Sequence, residues 1–155
     1  MYSLTYLEDY VEKLHQGLNH VNAADIHETR IAEELNIEVE YNAPFDASMD
    51  RTIFLASDCP KKIRLAFAHE LAHVRWDTDE QWALSPSFKQ YIEEKANHFS
   101  LYFCLPAYMI FEYDLQDPGV LYKLSEEFVV PVEVVRERMR KIWIRERELL
   151  NVRAL

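Results

Sequence analysis

Apolar and polar positions change period several times along the chain, and each change marks an element. Leu4, Leu7, Val11, Leu14 and Leu18 recur at steps of three and four behind Ser3, which predicts an amphipathic helix ending near Gly17. His15 and His20 flank its end and read as surface or cap residues. A second helix is predicted over about 24–35, with Ile26, Ile31 and Leu35 inward and Asn36 as its stop; His27 there has no visible partner. Residues 36–42 alternate apolar and polar, the pattern of a strand with one face on a core. Residues 52–56 are more continuously apolar and predict a more deeply buried strand. Between them, 43–50 reads as a loop with room for a short irregular strand.

Helical spacing returns at Ile63, Phe67, Leu71 and Val74, behind a Ser57-Asp58-Cys59-Pro60 start that combines an oxygen-bearing cap with a preset φ. A further helix is predicted over 88–105 and stopped by Pro106, with Phe99, Tyr102 and Phe103 as core. Pro118-Gly119 marks a turn before a short helix carrying Val120, Leu121, Leu124 and Phe128. Pro131 opens a last helix whose apolar residues are Val134, Val135, Met139, Ile142, Trp143 and Leu149, surrounded by arginines and a lysine. That final pair reads as a cap on the core, with partner docking by the same surface as the alternative.

Composition narrows the class. With 155 residues, 49% of them apolar, the chain can bury a core as one domain. The net charge of −10 is unevenly spread: residues 1–60 carry 12 acidic and 3 basic side chains, whereas 136–155 carry 7 basic and 3 acidic. The acidic front argues against direct nucleic-acid binding. Cys59 and Cys104 form no CxxC pair and fit a reducing cytoplasm. The N-terminus lacks a basic segment followed by an apolar one, so no secretion signal is expected. The longest apolar run, Leu101 to Phe111, contains Pro106 and is too short to span a bilayer, so no membrane association is expected.

The candidate chemistry lies in His69-Glu70-Leu71-Ala72-His73, an HExxH motif inside the predicted third helix. On a helix, imidazoles four residues apart stand one turn above the other and can share a metal ion, while Glu70 can accept a proton from a water at that ion. A metzincin would need Gly at 76 and His at 79, where this chain has Trp76 and Asp79. The third ligand is therefore expected on the 88–105 helix, where Glu93, Ala96, Asn97 and Ser100 share a stripe. There Glu93 supplies the carboxylate and Asn97 an oxygen to orient a ligand imidazole. Glu94, Asp77, Asp79 and Glu80 compete with Glu93 for that role. His98, Tyr91 and Tyr102 are further candidates for contact with a substrate. Two histidines and one carboxylate leave a fourth position open, the mark of a catalytic zinc.

Leu65-Ala66-Phe67-Ala68-His69-Glu70-Leu71-Ala72-His73, paired with Glu93-Glu94-Lys95-Ala96-Asn97-His98-Phe99-Ser100 and Leu105-Pro106, resembles the ImmA/IrrE metallopeptidases, compact gluzincin-like proteins. The resemblance covers residues 37–106 well and 120–143 more loosely. Ala72 in place of Gly, Ser100 in place of Ala and Cys104 in place of Met or Leu are departures that touch packing. The resemblance implies Zn2+ held by His69, His73 and Glu93, Glu70 as general base, and a substrate protein: a helix-turn-helix transcriptional repressor, often of a phage or mobile element. The expected fold is α+β, a small antiparallel sheet packed on a helical zincin-like core, in a single domain over 1–155. Its expected parts are N-terminal helices (1–36), the sheet and active-site helices (37–106) and a C-terminal helical extension (107–155). The rival function is a non-catalytic regulator that binds and sequesters a repressor or another protein.

Overall fold

The computed structural model describes residues 2–76 and 85–153. Helix α1 spans Tyr6–Gly17 and starts two residues later than the Ser3 reading: Thr5 is its N-cap, and Thr5 and Glu8 cap each other's backbone N–H groups reciprocally. A 3₁₀ turn at Ala23–Asp25 precedes α2, Glu28–Glu34. Asn36 stops α2 by taking a positive φ of 55°, a conformation Asn tolerates.

Three strands follow: β1 (Glu38–Tyr41), β2 (Ala47–Met49) and β3 (Thr52–Leu55), ordered β1-β3-β2. The α+β class holds, but the sheet is mixed, since β2 is antiparallel to β3 whereas β1 is parallel to it. A tight turn at Asp50-Arg51, with Asp50 at φ 53°, joins β2 to β3 as a hairpin. The segment between β1 and β2 therefore crosses to the far edge before the hairpin closes, which makes β1 and β3 codirectional. Ile53 and Leu55 of the central strand are fully buried, as the continuous apolar run predicts. Edge strand β1 is mostly exposed, with only Val39 half-buried.

Helix α3 (Pro60–Trp76) packs on β2 and β3 and along α4 (Pro86–Cys104), whose N-cap is Ser85. Small residues permit the close approach: Ala68, Ala72 and Ala96 are all buried. Trp76 fills the end of this interface. Its ring lies 5.0 Å from those of Tyr10 and Phe99, and the Lys95 ammonium sits 4.2 Å from its centroid. Short α5 (Ala107–Ile110), α6 (Val120–Glu127) and long α7 (Val132–Arg153) complete the fold.

Two ion pairs, one buried and one partly buried, tie the outer helices to this centre. Arg64 of α3 donates to Glu28 at 2.7 Å and to the Phe128 carbonyl at 2.8 Å, joining α2, α3 and the end of α6. Arg138 of α7 lies 2.7 Å from Glu8 of α1 and donates to the Leu105 carbonyl. The link from α6 to α7 holds Val129 at φ 54°, an uncommon state for a β-branched residue. Ser125 fixes it by donating to the Val130 carbonyl at 2.6 Å.

His15 and His20 are the clear departure from the sequence reading. Both are buried, not surface or cap residues. His15 lies one turn beyond Val11 on the inward stripe, stacks on Phe103 and satisfies its nitrogens internally.

Candidate metal centre

Helix α3 carries His69 and His73 one turn apart, and α4, running beside it, carries Glu93 opposite them. The two Nε2 atoms are 3.1 Å apart, and the Glu93 carboxylate oxygens stand 3.2 Å from each. All three ligand atoms lie within 4.8 Å of one another, a group able to hold a metal ion. Two donors about 2.0–2.1 Å from a tetrahedral zinc are themselves separated by about 3.3 Å, so this spacing fits such an ion. The chemistry fits as well: two neutral imidazoles and one carboxylate are borderline donors suited to zinc, and Glu93 is more than half exposed, which keeps one side open.

Glu70 is buried beside this cluster. Burial raises its pKa above the ordinary carboxylate range, while a hydrogen bond from the Ser48 hydroxyl and the two imidazoles pull it back down. A carboxylate with a raised pKa is a better proton acceptor than an ordinary surface Glu. Ser48 is a residue that sequence reasoning passed over. It sits on β2, inside the stretch read mainly as loop, and only the pairing of β2 with β3 over α3 brings it to Glu70.

The remaining candidates separate clearly. Glu94 accepts from Gln90 at 3.0 Å on its own helix, outside the cluster. Asp77, Asp79 and Glu80 lie outside the described residues. Asn97 is exposed; among the described residues its side chain makes no hydrogen bond to either imidazole, and it lines a cavity beside His69 instead. His98 lines the same cavity, with its Nε2 accepting from Lys141 Nζ at 3.3 Å. Its pKa is lowered by burial and by that ammonium. Tyr91 lines a smaller pocket with His73, whereas Tyr102 packs under the Arg138 guanidinium toward α1.

Residues 22–140 match the peptidase M78 family, described as the IrrE N-terminal-like domain. The chain belongs to this family. Among curated proteins it is 24% identical over 140 residues to the uncharacterized protein YqaB of Bacillus subtilis (strain 168), with 82% of this chain and 81% of that protein covered. It is 26% identical over 118 residues to the phage-like element PBSX protein XkdA of the same organism. That match covers 72% of this chain and 59% of XkdA. M78 membership supports a metallopeptidase-like role, and the cluster on α3 and α4 supplies a His/Glu group suited to the metal such peptidases use. Among the described residues no helix of this M78 chain is long and apolar enough to cross a membrane.

Proposed function

We propose that the chain is a zinc-dependent endopeptidase of the cytoplasm whose substrate is a helix-turn-helix transcriptional repressor. The observation that carries the peptidase part is the convergence of His69, His73 and Glu93 beside the buried carboxylate of Glu70. In this reading His69 and His73 donate through Nε2 and Glu93 through its carboxylate. A metal ion held by these three residues would supply Lewis acidity toward a carbonyl oxygen and a water molecule. Glu70 takes the proton of the attacking water on a carboxylate oxygen and later delivers it to the leaving amine. Ser48 holds that carboxylate in place from β2.

The repressor part draws its support from the resemblance to the ImmA/IrrE peptidases and from XkdA, a relative named as a protein of a phage-like element. A peptidase serving such an element has its own regulator as a natural substrate. Two free cysteines, one of them buried, suit a reducing compartment.

The test is metal stoichiometry by elemental mass spectrometry on protein purified without chelator, beside Glu93→Ala and Glu70→Gln. The expected result is about one zinc per chain in the wild type and in Glu70→Gln, and a strong loss in Glu93→Ala. A wild type that neither contains zinc nor takes it up removes the peptidase reading and favours sequestration. Under sequestration, Glu70→Gln keeps its biological effect; under proteolysis, it loses it.

A further inference from the structure

A cavity of about 690 Å³ opens beside His69 between α3, α4 and α7. Such a volume lies in the range of ligand-binding clefts and holds several residues of an extended peptide. One side of it is α7, an element outside both motif helices. Val134 of α7 faces this space together with Leu65 and Ala66 of α3 and Leu101 of α4. Leu65, Ala66 and Val134 are only partly buried, so part of their apolar surface remains available.

Several polar groups around this stripe already have partners elsewhere in the protein. Asp46 accepts from the Ala56 N–H, the Ser57 hydroxyl accepts from the Cys59 N–H, and Glu137 receives two hydrogen bonds from Arg140. Lys62 and Glu133 are exposed and opposite in sign, so together they favour neither an anionic nor a cationic guest. What the cavity offers beyond solvation is apolar contact, and Asn97 adds a free side-chain amide able to hold a main-chain N–H or C=O.

We infer that Val134 is a specificity-determining residue: with Leu65, Ala66 and Leu101 it receives a large apolar side chain of the substrate, close to the bond being cleaved. This inference rests on the peptidase reading, because it is the shared His69 wall that puts the guest side chain next to the reacting bond.

The experiment profiles cleavage sites in a proteome-derived peptide library by mass spectrometry, using the zinc-loaded full chain as wild type, Val134→Ala, Val134→Leu and Val134→Phe. Circular dichroism selects the folded variants, and Val134→Leu keeps the comparison available if the Phe substitution prevents folding. The wild type is expected to favour Leu, Met, Phe or Tyr at one position beside the cleaved bond. Bulkier residues at 134 should shift that position toward Ala and Val by tenfold or more, and Val134→Ala should widen acceptance of the largest side chains. An unchanged profile in active variants overturns the inference and leaves the peptidase reading standing. A wild-type preference for charged side chains at that position does the same. Absence of any cleavage by the zinc-loaded wild type overturns the peptidase reading and the inference with it.

Discussion

The protein contains two histidine pairs with nearly the same internal geometry and different chemistry. His69 and His73 bring Nε2 atoms to 3.1 Å; His15 and His20 bring Nδ1 atoms to 2.9 Å. What differs is the third partner. The first pair meets a carboxylate, Glu93, on a half-open face, and all three donors can point lone pairs at one centre. The second meets the Phe103 carbonyl, to which His15 donates from Nε2 at 2.8 Å. That bond assigns the tautomers: His15 Nδ1 must accept, so His20 Nδ1–H donates. A carbonyl acceptor turns the buried pair into a proton-ordered strut between α1 and α4, whereas a carboxylate turns the other into a candidate cation site. Proximity of imidazoles is thus a poor criterion by itself; the group completing the set decides.

The largest test of this contrast is kinetic. Glu70→Gln should lower turnover about 10²–10⁴-fold, the usual contribution of a general base, with thermal stability and metal content preserved. Next comes a test that separates the pairs by ligand. Zinc at about a thousandfold over its Kd should stabilise the wild type by about 4 kcal/mol, read as a rise in Tm. His73→Ala should abolish the rise, and His15→Gln should keep it; a rise lost only in His15→Gln would assign the metal to the wrong pair.

The buried pair should announce itself in acid. Burial lowers the His15 pKa to about 4, and burial lowers that of His20 too. The unfolded chain therefore takes up the proton first, near pH 6.5, while the folded protein resists. Stability is complete above that pH and declines as pH falls toward 4, by about 3 kcal/mol for His15. Urea denaturation between pH 7 and pH 4.5 measures this, and His15→Phe should flatten the slope. The smallest effect is expected at Ser48→Ala, where loss of one hydrogen bond to Glu70 should cost about 1 kcal/mol of barrier, roughly a fivefold drop in rate, with zinc content unchanged.

These contrasts also mark how far sequence reasoning reaches. The HExxH spacing and the Glu93 stripe could be read because helical periodicity alone places side chains four apart on one face, and helices of this length keep that register. Glu93 over Glu94 follows from the same geometry, since one residue rotates the side chain by about 100° out of the interface. Ser48 was not legible, because its contact with Glu70 depends on strand pairing between distant residues. The parallel alignment of β1 with β3 was hidden for the same reason: nothing local in residues 43–50 says which edge the chain will cross to. His15 failed differently, for a polar residue on an inward stripe looks like a break in the pattern until its partner from α4 is seen.

The Glu8–Arg138 pair has a consequence for how the protein is made. Chains leave the ribosome N-terminus first, at about 5–20 residues per second. Glu8 thus emerges many seconds before the cation that will neutralise it, and waits in solvent as an ordinary anion. Val134 arrives in the same late segment. The nascent chain consequently displays the HExxH helix before α7 exists to wall the cavity beside His69, so that cavity takes shape only once the last helix is made.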